Sequence, residues 1–217
     1  MIRFEAHLNL QKSLDYIAGL LPAPFSLKLD EGNLPDIRLR PAMDDISVAL
    51  IENLILSRRI QRVLEIGTSV GRTCCRLGAR LRETGDTMVT VEIDQLIAAV
   101  AQENIRAAGL QDVVQVICGD AAEVVFELEG FFDLIIQDGD KDLYSPLLDR
   151  LVELLEPGGI LITDDVLFPV VDLPATAEHL QEVVDSYNQA LRSRSDLQTV
   201  WLPLGYGISL SVKREIR

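Results

Sequence analysis

The stretch Arg62-Val63-Leu64-Glu65-Ile66-Gly67-Thr68-Ser69-Val70-Gly71 decides the fold. Residues 62–66 form a short run with two β-branched residues and a leucine, enough for one buried strand. The run stops at Gly67, and a second glycine follows at Gly71. Val70, Cys74, Leu77 and Leu81 then recur at helical rather than alternating spacing. A strand, a glycine turn and a helix open a nucleotide-binding α/β unit. The turn lets a ligand approach bare backbone, and the first N–H groups of the helix are free to meet a carboxylate or phosphate.

The same rhythm continues downstream. Strands are expected at 88–93, 113–118, 131–137 and 160–163. A helix at 96–108 ends at Gly109. Leu143, Leu147, Leu151 and Leu154 mark another, ended by Pro157-Gly158-Gly159, and a long helix covers 174–193. Segments 197–202 and 208–212 flank Pro203-Leu204-Gly205-Tyr206-Gly207 and read as a closing antiparallel pair. The fold class is therefore α/β, a doubly wound, mostly parallel seven-stranded sheet with an antiparallel last strand.

Upstream, Leu8, Leu14, Ile17 and Leu21 predict an amphipathic helix stopped by Pro22. His7 within it reads as a surface or packing residue. Residues 22–41 hold four prolines and no period, which predicts a loop that serves as a lid or a partner contact. Asp44 or Asp45 caps a helix to about Leu56, with Ile46, Leu50 and Leu54 on one face. The expected organisation is one domain, 1–217, with an N-terminal helix and loop extension (1–40) and a catalytic core (41–217).

Composition narrows the class. The chain has 217 residues and is 48% hydrophobic, enough for a full core. No run approaches 18 apolar residues and no signal pattern opens the chain, so a cytoplasmic protein without a membrane span is expected. Three cysteines, two of them adjacent at Cys74 and Cys75, make neither a disulfide framework nor a zinc site. The net charge of −14 argues against nucleic acid as a partner.

In such sheets the ligand lies beyond the carboxyl ends of the strands. Polar residues gather at five of those ends: 65–71, 92–94, 119–121, 138–141 and Asp164-Asp165. The turn Glu65-x-Gly67-x-x-x-Gly71 matches neither the dinucleotide nor the P-loop fingerprint. Glu92 closes the second strand 21 positions after Gly71, a placement that suits ribose hydroxyls or simply a polar strand end. If the fourth and fifth strands are neighbours, Asp138, Asp164 and Asp165 face one spot. Three carboxylates repel unless a proton or cation lies between them. An all-oxygen set favours Mg2+, Mn2+ or Ca2+ over zinc. The alternative is that these aspartates cap turns and helices, that Asp140 is a turn residue, and that Lys141 is an ion-pair partner.

Taken together, these residues resemble the class I S-adenosylmethionine-dependent methyltransferases, a Rossmann-like fold. In that family Glu65, Gly67, Thr68, Ser69 and Gly71 would wrap the methionine part of the cofactor. Glu92 with Ile93 would hold the ribose, and Asp120 with Ala121 would flank the adenine. The stretches FDLIIQDGDKDLY (132–144), LLEPGGILITDDVL (154–167) and LPLGYGISLSVK (202–213) look like the divalent-metal-dependent O-methyltransferases of the catechol and caffeoyl-coenzyme A type. The resemblance runs from about residue 41 to 213. It implies that Asp138, Asp164 and Asp165 ligate the metal, Mg2+ first among the candidates. Asp138 also borders the cofactor, and Lys141 stands beside the reacting hydroxyl. The family normally has asparagine at the position of Asp165 and often aspartate at that of Tyr206.

The expected reaction is in-line methyl transfer from the sulfonium to a hydroxyl of a small catechol-like acceptor, with Lys141 accepting the proton or stabilising the oxyanion. Rival readings are methylation of a hydroxylated transfer-RNA base and a non-catalytic cofactor-binding protein. Relatives of this kind are commonly homodimers.

Overall fold

The computed structural model describes residues 9–21 and 42–215. The expected loop at 22–41, Leu8 and His7 lie outside them. Two helices precede the sheet, α1 (Leu10–Leu20) and α2 (Asp45–Ser57). Asn9 caps α1, and no residue of α1 is buried. Asp44 caps α2, accepting from the Ile46 and Ser47 N–H groups.

The strands are β1 (Arg62–Ile66), β2 (Thr87–Glu92), β3 (Val114–Cys118), β4 (Phe132–Gln137), β5 (Leu155–Thr163), β6 (Leu197–Leu202) and β7 (Ile208–Lys213). Between them run α3 (Arg72–Thr84), α4 (Gln95–Ala107), α5 (Ala121–Glu127), α6 (Tyr144–Leu154) and α7 (His179–Ser193). The sheet order is β3-β2-β1-β4-β5-β7-β6. β1 to β5 are parallel, and β7 runs antiparallel to both of its neighbours. The order reverses between β1 and β4, where such folds open a ligand crevice.

Both faces of the sheet are covered, so the central strands are apolar on both sides. Leu64, Ile66, Val91, Ile135 and Leu161 meet Val125, Leu147, Leu151 and Tyr187 on the face carrying α5, α6 and α7. Val63, Met88, Leu134, Ile136 and Ile162 meet Ile51, Cys74, Leu77 and Ile105 on the face carrying α2, α3 and α4. The adjacent cysteines are thus buried thiols at the sheet-facing start of α3.

Several boundaries differ from expectation. The buried stripe of α2 is Val48, Ile51 and Ile55, while Ile46, Leu50 and Leu54 are half-buried. That helix is apolar on most sides, so periodicity alone does not choose its inner face. Helix α5 was not foreseen; at seven residues it is too short to show a period. Helix α6 ends at Leu154, and Pro157-Gly158-Gly159 lies inside β5 instead of before it. Leu155 pairs with Phe132 and Ile160 with Leu134, so the chain bulges between those pairs, with Gly158 at φ 80. Helix α7 begins at His179, five residues later than expected, after a series of turns.

Candidate active site

The glycine turn begins where β1 stops. The Gly67 N–H donates to the Val91 carbonyl at 3.0 Å, extending the β1–β2 ladder by one step. At φ 97 a Cβ on Gly67 would lie 2.5 Å from the Asp138 carbonyl oxygen. Only glycine lets the ends of β1 and β4 approach this closely. Ser69 follows at φ 49, and its N–H donates to Glu92 Oε2 at 2.9 Å. The other oxygen of Glu92 accepts from the Asp94 N–H at 3.0 Å. One buried carboxylate therefore fastens the turn after β1 to the turn after β2.

A cavity of about 470 Å³ opens at these strand ends, a size normal for a small-molecule site. Gly67, Thr68 and Ser69 form its wall after β1, Glu92 and Ile93 after β2, and Asp120 with Ala121 after β3. Asp138 closes it after β4. Eight of the ten residues expected at the cofactor thus share one wall. Two do not. Glu65 is buried beneath the turn and accepts a hydrogen bond from Thr90 at 2.5 Å. Within β1 its side chain points to the α3 face, one residue short of the strand end. Burial raises its pKa well above the usual carboxylate range, against the lowering effect of the Thr90 hydroxyl. Gly71, at φ 88, caps α3 and packs near Ala101, away from the cavity.

The sequence reading missed Arg72, in the first turn of α3, which also lines the cavity, as does Asp94 of the polar strand end 92–94. Asp140, taken as a turn residue, does cap the short turn Lys141–Leu143, and it lines the cavity as well. The wall carries Glu92, Asp94, Asp120, Asp138, Asp140 and Asp142 against Arg72. Such a field favours a cationic ligand over a pyrophosphate.

Beside this cavity the ends of β4 and β5 bring three carboxylates together. Asp138, Asp164 and Asp165 each offer an oxygen within 4.8 Å of the others. Hydrogen bonds fix these positions: the Asp138 N–H donates to the Ile66 carbonyl and the Asp164 N–H to the Gln137 carbonyl. The buried Tyr144 hydroxyl donates to the Asp164 carbonyl at 3.0 Å, and the Tyr187 hydroxyl meets that of Thr163 at 2.6 Å. Tyr144 closes the stretch 132–144 without a role of its own there, and Tyr187 lies outside every stretch quoted above. Asp164 is pushed up to about 8 by burial first and by Asp138 and Asp165 next. Asp165 sits at φ 59.

Lys141 is buried against the trio, with Nζ 2.8 Å from Asp165 Oδ2 and 3.4 Å from Asp138 Oδ1. Burial works against its charge, but Tyr144, Asp138 and Asp165 outweigh it and raise its pKa. Lys141 is therefore an ammonium ion whose charge answers two of the three carboxylates. The trio suits a hard divalent cation: all donors are oxygens and they converge.

Comparison with known proteins agrees with this geometry. A family model described as O-methyltransferase matches residues 46–214. A catechol O-methyltransferase of Niastella koreensis is 33% identical over 153 residues, 69% of this chain and 66% of that protein. A caffeoyl-CoA O-methyltransferase of Stellaria longipes is 24% identical over 172 residues, 74% of this chain and 71% of that protein. The matches span about half to two thirds of the length of several such relatives, including 46% of the Bos taurus catechol O-methyltransferase. In fold, a methyltransferase of Podospora anserina solved with SAH superposes with a TM-score of 0.82 at 21% identity, covering 99% of this chain and 100% of that one. The family match covers most of the sequence and every strand of the sheet, and the chain belongs to the O-methyltransferase family.

Proposed function

We propose that this chain is an S-adenosylmethionine-dependent O-methyltransferase that acts, with a divalent cation, on one hydroxyl of a small catechol-like acceptor. Residues 41–217 would form its catalytic core. One observation carries the reading: Asp138 is both a wall of the cofactor-sized cavity and a member of the carboxylate trio. Cofactor and metal would therefore meet at a single residue.

The sulfonium cofactor supplies the methyl group. Gly67, Thr68 and Ser69 would hold its amino-acid end. Glu92 keeps lone pairs beyond its two backbone bonds, and these would accept hydrogen bonds from the ribose hydroxyls. Asp120 and Ala121 would border the adenine. Asp138, Asp164 and Asp165 would hold Mg2+, with Mn2+ and Ca2+ as alternatives, and such an ion lowers the pKa of an acceptor hydroxyl. Lys141 stands at the same mouth. Beside Asp138 and Asp165, it would accept the proton of the acceptor hydroxyl or stabilise negative charge on the acceptor oxygen. Orientation by these walls supplies much of the rate.

The test is a calorimetric titration of Mg2+, then Mn2+, into protein saturated with S-adenosylhomocysteine. We expect one metal-binding event, abolished in Asp164→Ala while the cofactor analogue still binds within about twofold. Full metal-dependent turnover by that variant would remove the trio from the mechanism. Assembly as a homodimer is part of the proposal, supported by apolar side chains that α1 leaves exposed, Leu10, Ile17 and Leu20. Sedimentation equilibrium gives the mass directly.

A further inference from the structure

The turn after β1 places two left-handed residues on either side of Val70, Ser69 at φ 49 and Gly71 at φ 88. The Gly71 N–H donates to the Thr68 carbonyl at 3.0 Å, and the Gly71 carbonyl accepts from the Cys75 N–H at 3.0 Å. Among the described residues no backbone N–H reaches the carbonyl of Val70. It is met from outside the turn, by Asn104 Nδ2 of α4 at 2.9 Å. A carbonyl can only accept, so the amide nitrogen of Asn104 must face it.

Asn104 is 3% exposed and lies on the buried face of α4 with Ile97, Ala98, Ala101 and Ile105. Asparagine is a poor helix former, and its amide costs free energy when buried without a partner. Packing alone would favour leucine there. Earlier on the same face, Ala101 lies against the turn, where a Cβ on Gly71 would be 3.5 Å from Ala101 Cβ. Helix α4 thus presents a small residue where the turn comes close and an amide where the turn has an acceptor to satisfy. Glu92, at the end of β2, takes the Ser69 N–H. The β2–α4 unit therefore grips the turn at an N–H and at a carbonyl.

We propose that Asn104 is a positioning residue for the cofactor, holding Thr68 and Ser69 against its amino-acid end from behind the cavity wall. The proposal rests on the methyltransferase reading above. Thr68 and Ser69 line the cavity, and Asn104 stands behind them. Without the amide, the peptide after Val70 is free to rotate, and Ser69 can leave a left-handed φ that a residue with a Cβ disfavours. Thr68 and Ser69 then move off the wall. Asp120 and Ala121, on the part of the wall after β3, are held by other bonds and stay in place.

Calorimetry with S-adenosylhomocysteine and with methylthioadenosine tests this, because the second ligand keeps the adenosine and lacks the amino-acid end. Asn104→Ala should raise the Kd of S-adenosylhomocysteine about 5- to 20-fold and leave that of methylthioadenosine within about twofold. Asn104→Leu, which refills the volume without a donor, should do the same. In turnover, KM for S-adenosylmethionine should rise with kcat held. Alanine and leucine are better helix formers than asparagine, so α4 should keep its shape in both variants. The wild type gives a measurement that needs no variant to fold: the side-chain amide NMR signal of Asn104 should move on adding S-adenosylhomocysteine and stay on adding methylthioadenosine. Equal weakening of both ligands in the variants, an unchanged Kd for S-adenosylhomocysteine, or an amide signal blind to that ligand would overturn the role of Asn104 alone. A wild type that binds neither ligand would overturn the proposed function and this role with it.

Discussion

Ser69 at φ 49 and Asp165 at φ 59 are the two non-glycine residues with positive φ among the described residues, and both are at the site. Left-handed backbone costs little for Asn or Asp and more for branched side chains. This gives a physical reason why the family's asparagine and this chain's aspartate exchange at position 165. Asp165→Asn should leave stability within about 0.5 kcal/mol, whereas Asp165→Val should cost roughly 1–3 kcal/mol in urea unfolding. Glu65 gives a pH-dependent prediction. Its folded pKa is raised. Above its ordinary value of about 4.3, the folded chain therefore keeps a proton that the unfolded chain has released. Stability then falls as pH rises. Glu65→Gln should be more stable than the wild type at pH 8, and the gap should shrink toward pH 4; a constant gap across that range would refute it. Asp138, Lys141 and Asp164 were legible in the sequence because each stands just past a strand, where the fold gathers ligands. Glu65 was misplaced because the motif names it with the turn, while the two-residue alternation of β1 turns it under the sheet. The hydrogen-bonding roles of Tyr144 and Tyr187 were not legible, because an aromatic residue beside a site has no spacing that separates it from core.

At the scale of elements, the sequence located the centre of nearly every strand and fewer of the ends. Composition names turn residues but does not say which contacts will absorb them. Pro157-Gly158-Gly159 reads as a stop, yet β5 already begins at Leu155 because Leu155 finds Phe132 across the ladder. The glycine-rich run then bulges and the strand resumes. Gly67 is the opposite case, a glycine whose meaning is fully local. Gly67→Ala would force a methyl group against the Asp138 backbone and hold a left-handed φ. It should destabilise by roughly 1–3 kcal/mol and weaken S-adenosylhomocysteine binding at least tenfold, both measurable by thermal shift and calorimetry.

Across the whole molecule, a charge of −14 is held partly by pairing between helices. Arg76 of α3 is buried and reaches Asp45 and Glu52 of α2, each at 2.7 Å. Asp45 also pairs with Arg72, which lines the cavity, so the helix before the sheet is fastened to the site wall. Arg76→Ala would leave Glu52 with Arg80 alone among the described residues, at 3.4 Å, and should cost about 1–3 kcal/mol in denaturant unfolding. The topology sets a further condition. β7 comes last in sequence among the strands but lies inside the sheet, between β5 and β6. During synthesis, β1 to β4 can close the cavity wall while the outer edge of β5, which ends at Thr163, still waits for residues 208–213 to emerge. Until they do, the strand that leads into Asp164 and Asp165 has one free edge, open to pairing with another chain. The carboxylate trio thus stands beside a sheet edge that, among the described residues, 208–213 alone cover, and a nascent chain that stalls before residue 208 would present that edge uncovered.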